Sequence, residues 1–329
     1  MPIGKRITPS GSSPPDLQKT ERNEKDAHSA KANTNNKAEL EFTLFQSEEP
    51  KYSFDDIVMN SSVYNSIQDV LALYSKRELI FNQWGLGETQ KSQNRAGINL
   101  YGYSGTGKSM AAHAIAKQLD RKILTVDYSQ IESKYVGETS KNLVAMFKYA
   151  KETRSVIFFD EADALLSKRV TNMSNSTDVS VNQTRSVLLV LINDYDDLII
   201  FASNFISNYD PAFMRRILAH VNFELPDEEA RSKLWRMYIP EKLPTNADIN
   251  TLAAKYDGIS GADISNAVLN AALRTARSDE TFVSHSYFEE AIERIKKSKA
   301  DNSDLGETFS KRTVSEEYVK SQFGGKLPS

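Results

Sequence analysis

Tyr101-Gly102-Tyr103-Ser104-Gly105-Thr106-Gly107-Lys108-Ser109 is the stretch from which the fold can be read. It fits the spacing G-x-x-x-x-G-K-[ST] at Gly102, Gly107, Lys108 and Ser109. An apolar run at 98–101 precedes it and a helix-like run at 110–119 follows. The reading is therefore strand, glycine-rich turn, helix start. The phosphate chain of a nucleotide explains the spacing. Glycines let the backbone wrap an anion more closely than a Cβ would permit. The N–H groups of the turn and of the helix N-terminus point at the phosphates, and the helix dipole favours negative charge there. The expected cradle is Gly102, Ser104, Gly105, Thr106, Gly107, Lys108, Ser109 and Met110. Lys108 would reach the β- and γ-phosphates, and the Ser109 hydroxyl would hold Mg²⁺.

Strands and helices alternate downstream. Strands are expected at 123–126, 155–159, 198–203 and 221–223. Leu143, Met146, Phe147 and Ala150 form the stripe of an amphipathic helix, and 184–192 is helix-like. The continuous apolar run at 155–159 suits a strand buried on both faces of a parallel sheet. Upstream, Ser61 is placed to cap a helix carrying Val63, Ile67, Val70, Leu71 and Leu73. After Pro226 the strand patterns stop. Asp227 is placed to cap a helix to Tyr238, and further helical patterns lie at 248–256, 261–277 and 285–297. The expected fold is α/β: a P-loop, doubly wound, parallel five-stranded sheet followed by a small all-helical domain. The expected divisions are a disordered arm at 1–45, poor in aromatics and rich in Ser, Pro, Asn, Lys and Glu, the α/β domain at 46–226, the helical domain at 227–297 and a flexible tail at 298–329.

Composition narrows the function. The chain of 329 residues is 40% apolar and 26% charged, as soluble globular proteins are. The net charge of -3 provides no global basic field, so nucleic acid is not an expected partner. There are no cysteines, which excludes disulfides, thiolate chemistry and Cys-ligated zinc. The first residues lead into Ser, Pro and charge, so no secretory leader is expected. The apolar runs are too short to span a bilayer. A cytoplasmic protein without membrane insertion is the expectation.

The chemistry gathers at strand ends. The expected strand before Asp160-Glu161 would place these acids beyond its carboxyl end, where ligands bind in parallel sheets. Asp160 next to a phosphate loop would support Mg²⁺, and Glu161 would polarise an attacking water. Asp160-Glu161-Ala162-Asp163 also spells the signature of DEAD-box RNA helicases. Such helicases need a second large nucleotide-binding-type domain, and a small helical domain stands in its place. Asn204 closes the next strand, where it could orient the lytic water or sense the γ-phosphate. Arg215 and Arg216 follow a short apolar turn and are poorly placed for their own phosphates. Arginine from a neighbouring subunit can stabilise charge in the transition state.

In order and spacing, these elements and Gly258-Ile259-Ser260-Gly261-Ala262-Asp263-Ile264 resemble the AAA ATPase family. The resemblance covers roughly 50–297. It implies ATP and Mg²⁺ as ligands and a ring, a homo-hexamer by family habit, with ATP between subunits. It further implies that Asn204 is a sensor and that Arg215 and Arg216 act in trans. Asp56 and Ile57 would line the adenine pocket on one side. Gly261 and Ala262, opening a lid helix, would line it on the other. Ser133-Lys134-Tyr135-Val136-Gly137-Glu138-Thr139 is similar to the pore loop of AAA proteins that thread polypeptide. Lys134, Tyr135, Val136 and Gly137 would then grip a protein substrate without reading its sequence. Arg185 is a further candidate for an intersubunit contact. Tyr103-Ser104 departs from the family's usual prolines, and Ser203-Asn204-Phe205 from its T-N-R. No H-E-x-x-H occurs, so a metalloprotease of this family is excluded. The implied function is ATP-driven unfolding, disassembly or remodelling of a protein partner, recruited directly or by an adaptor bound to the N-terminal arm. A regulatory ring that threads nothing is the alternative.

Overall fold

The computed structural model describes residues 45–89, 97–127, 138–168, 176–195, 197–204 and 209–310. Five strands form one sheet: β1 (Gly97–Gly102), β2 (Ile123–Val126), β3 (Val156–Phe159), β4 (Ile199–Ser203) and β5 (Ile217–Phe223). Their order is β2-β3-β4-β1-β5, and every pairing is parallel. Parallel neighbours require crossovers, and helices supply them. Helix α1 (Ser61–Ser75) precedes the sheet, and the long crossover helices are α2 (Lys108–Gln118), α3 (Glu138–Thr153) and α4 (Ser176–Asp194). Burial on both faces explains the unbroken apolar runs. All of β3 and β4 is buried. One face packs Leu143, Met146, Leu188 and Ile192 against Phe159 and Phe201. The other packs Val63, Ile67, Ala112 and Ile115 against Ile98, Leu100 and Phe158.

After β5 the chain is helical: α5 (Glu228–Tyr238), α6 (Ile249–Lys255), α7 (Gly261–Arg277) and α8 (His285–Ser310). The first three starts carry their chemical cause. Asp227 accepts the Ala230 N–H at 2.8 Å, and Asp248 accepts from Asn250 and Thr251. Ser260 and Asp263 form a reciprocal capping box on α7. Trp235 and Phe288, both fully buried, meet edge to face at the centre of this core.

Three sequence expectations need correction. Ser61 does not cap α1: it is the first helical residue, and extended Asn60 occupies the cap position. β5 begins at Ile217, not at 221, because Ile217–His220 pair with β1 around an irregularity at Gly97–Ile98. The last helix continues past 297, where a tail was expected, to Ser310. The arm at 1–44, the segment 128–137 with the expected pore loop, and 311–329 lie outside the described residues.

Candidate functional site

The carboxyl ends of β1, β3 and β4 converge on one cleft of about 500 Å³. β4 lies between β3 and β1 in the sheet. The turn after β3 and the loop after β1 therefore flank Asn204, although Asn204 and Lys108 are 96 residues apart in sequence.

Lys108 opens α2 and is half-buried. Its ammonium donates to Gly102 O and Tyr103 O, both at 2.8 Å, and to Asn204 Oδ1 at 3.1 Å. Burial pulls its pKa below the ordinary lysine value, while Asp160 and Asp163 oppose the fall. The next residue, Ser109, donates its hydroxyl to Asp160 Oδ2 at 3.0 Å. Asp160 Oδ1 accepts the Glu161 N–H at 3.0 Å. Glu161 is exposed at the cleft wall with φ 51°, a left-handed conformation that costs a non-glycine residue about 1–2 kcal/mol. Asn204 is held by its own N–H, which donates to Asp163 Oδ2 at 3.2 Å.

The loop glycines have different causes. Gly102 does not line the cleft. At φ 137° it lies where a Cβ would stand 2.2 Å from Phe223 O, so glycine is needed for the approach of β5. Gly105, at φ 76°, faces the lid: a Cβ there would come within 2.7 Å of Ala262 Cβ and Ser260 Oγ. Gly105 O also accepts the Ala262 N–H at 3.1 Å, which ties α7 to the loop. Gly107, at φ 98°, is the cap residue of α2, and Ile57 would be 3.6 Å from its Cβ.

Of the expected cradle and pocket residues, Asp56, Ile57, Ser104, Gly105, Thr106, Gly107, Lys108, Ser109, Met110, Gly261 and Ala262 line the cleft, with Asp160, Glu161 and Asn204. Asp56 is also tied locally. The Ser53 N–H at 2.7 Å, and then its hydroxyl at 2.8 Å, hold the carboxylate below its usual range. Sequence reasoning missed other wall residues, among them Met59, Val63, Leu234, Tyr238, Ser265 and Asn266. The helical spacing of Leu234 and Tyr238 placed them on one face of α5 but could not say what that face meets. Arg215 is exposed, and neither it nor Arg216 lines the cleft. Arg216 is bound within its own chain, to Asn193 Oδ1 and Ala212 O, each at 2.8 Å. Arg185 is buried and donates to Lys168 O and Ser167 Oγ, so the expectation that it faces a neighbour is not met.

These residues fit a nucleotide with a divalent ion. The loop is wrapped by positive-φ glycines, its helix N-terminus faces the cleft, and a lysine offers its charge within it. Among the described residues no cluster of three or more His, Cys, Asp or Glu could hold a metal alone. The Ser109–Asp160 pair suits an ion whose remaining ligands are phosphate oxygens and water.

Comparison with known proteins agrees with this geometry. Residues 98–225 match the ATPase family associated with various cellular activities (AAA), and residues 246–290 match the AAA+ lid domain. A proteasome-activating nucleotidase of Sulfurisphaera tokodaii is 31% identical over 273 residues, covering 80% of this chain and 68% of the relative. One from Methanopyrus kandleri is 31% identical, covering 78% and 59%. A 26S proteasome regulatory subunit 8 homolog of Schizosaccharomyces pombe is 32% identical, covering 70% and 57%. The match thus spans little more than half the length of two of these relatives. No helix among the described residues is long and apolar enough to cross a membrane. The chain belongs to the AAA ATPase family and is an ATP hydrolase, with that family's α/β domain and helical lid.

Proposed function

We propose that this ATPase works as a ring that couples Mg²⁺-ATP hydrolysis to the unfolding, disassembly or remodelling of a protein partner. The observation that carries the catalytic part is the meeting of Lys108, Ser109, Asp160 and Asn204 in one cleft, with Glu161 beside them. When bound, Mg²⁺ supplies charge neutralisation on the phosphates. Ser109 and Asp160 would hold it. Lys108 would give up acceptors that it now holds, Asn204 Oδ1 among them, for phosphate oxygens. Glu161 takes the proton of the attacking water, and Asn204, fixed by Asp163, orients that water. The cleft lies between the α/β part and the helical lid, and among the described residues of its own chain no arginine lines it. Arg215 of an adjacent copy is the group we assign to that place.

The partner class rests on the relatives, whose names tie them to the proteasome, a machine that acts on protein. It also rests on the Lys134-Tyr135-Val136-Gly137 sequence. An adaptor held by the N-terminal arm is part of the same proposal. The test is Tyr135→Ala with a folded protein substrate offered to the ring. ATPase activity should persist while unfolding is lost. Unfolding that survives the substitution refutes threading and favours an ATP-switched scaffold.

A further inference from the structure

The core carries a polar cluster where an apolar one would be more stable. Asn99 is fully buried in the middle of β1. It pairs with Phe201 on β4 and with His220 on β5. Paired residues project to the same face of a sheet, and that face otherwise packs Phe159, Phe201 and Phe213. The Tyr209 hydroxyl lies 3.4 Å from Asn99 Oδ1. Burial pushes that hydroxyl up to about 12, and neighbouring Ser203 pulls against the rise. Burial lowers the His220 pKa, and a hydrogen bond with the Met214 main chain opposes the fall. Among the described residues, Asn99 Nδ2, Ser203 Oγ and His220 Nδ1 have no hydrogen-bond partner of full geometry. Such groups cost stability, and an apolar residue at position 99 would remove part of that cost.

The ends of the cluster give it a use. Ser203 precedes Asn204, which holds Lys108. Met214 precedes Arg215. We propose that Asn99, Tyr209 and His220 are positioning residues that couple the Ser203–Asn204 end of β4 to the turn presenting Arg215. Phosphate engagement in a subunit's own cleft then sets how that subunit offers its arginine to the next. The inference rests on the reading that Arg215 acts in trans. Asn204 Oδ1 is the most distant of the three acceptors of Lys108, and a phosphate that takes its place leaves Asn204 to readjust. A close-packed core passes such a shift on as a discrete rearrangement.

Mixed rings test both levels. Arg215→Ala subunits keep a hydrolytic site but donate no arginine, and Glu161→Gln subunits donate one but do not hydrolyse. Turnover should appear only on mixing. If mixing restores none, the trans reading fails and the coupling fails with it. If it does, Tyr209→Phe is placed in the Glu161→Gln donor. The coupling predicts that complemented turnover falls about three- to tenfold, the scale of one lost hydrogen bond, with the donor's own nucleotide affinity unchanged. Asn99→Leu in the donor should lower complemented turnover similarly while raising the melting temperature. That combination separates coupling from damage to the fold. Full complementation by both donors overturns the coupling and leaves the trans reading standing.

Discussion

Glu161 is both strained and chemically placed. Its left-handed backbone and the bond from its N–H to Asp160 keep it at the cleft wall, next to the Ser109–Asp160 pair. Glutamine keeps the size and the backbone and loses the carboxylate proposed as the base. Glu161→Gln should therefore retain nucleotide binding and melting temperature while turnover falls by about 10²-fold or more. Steady-state hydrolysis alongside nucleotide titration checks this; near-normal turnover would remove Glu161 from the mechanism. Gly102 makes the opposite case, because it appears in the phosphate motif for a reason the motif does not state. A Cβ there would collide with the Phe223 carbonyl. Gly102→Ala should cost at least about 2 kcal/mol of unfolding free energy. Gly258→Ala, at φ 72° with nothing within 4 Å, should cost only about 1 kcal/mol. Denaturant unfolding of the two variants decides: equal losses would show that the close approach of β5 contributes nothing. The motif revealed that glycine is needed at 102 but not why, since Phe223 is far away in sequence and meets it only through β1–β5 pairing.

Legibility followed the same line among elements. Strands buried on both faces and helices with side-chain caps were readable, because their causes are local: the apolar run of β3, Asp227 before α5, Ser260 and Asp263 on α7. β5 was read short because Ile217–His220 form an edge segment with mixed burial, without the alternation or the continuous run that marks a strand. The order β2-β3-β4-β1-β5 and the Lys108–Asn204 contact are long-range facts that no spacing encodes. Arg185 was misplaced because a lone arginine on a helix looks the same whether it faces water or Ser167. One element offers a pH test. On α2, His113 is buried, and its Nδ1 accepts the Lys51 N–H at 3.4 Å. Burial lowers its pKa. A histidine with a depressed folded pKa binds fewer protons than the unfolded chain. Its contribution is intact above the unfolded value, about 6.5, and is lost as pH falls through and below it. His220 adds in the same direction. The melting temperature should fall between about pH 7.5 and about pH 5.5, and His113→Asn, which keeps an acceptor that cannot charge, should reduce the fall. An unchanged pH slope in the variant would show that His113 titrates equally in both states.

At the scale of the whole molecule, the question is which arginine leaves its own subunit. Arg215 and Arg216 were equivalent in the sequence, but they are not equivalent in the fold. Arg216 spends its guanidinium on Asn193 and Ala212, binding α4 to the turn before β5. Arg215 sits beside it, exposed, on a surface outside the cleft. If hydrolysis needs an arginine from the next copy, these positions divide the work. Arg215→Ala should leave the melting temperature of the isolated chain unchanged and reduce turnover, towards the roughly 10³-fold effects known for arginines supplied in trans. Arg216→Ala should lower the melting temperature first, because it leaves a polar contact unpaired within one chain. Wild-type specific activity should also fall on dilution, with added ATP shifting the curve to lower protein concentration, since a nucleotide shared by two copies stabilises their contact. Sedimentation at the same concentrations should show assembly following activity. Turnover per subunit that stays constant while the protein sediments as a monomer would show that each cleft is complete on its own, and Arg215 would then lose its role.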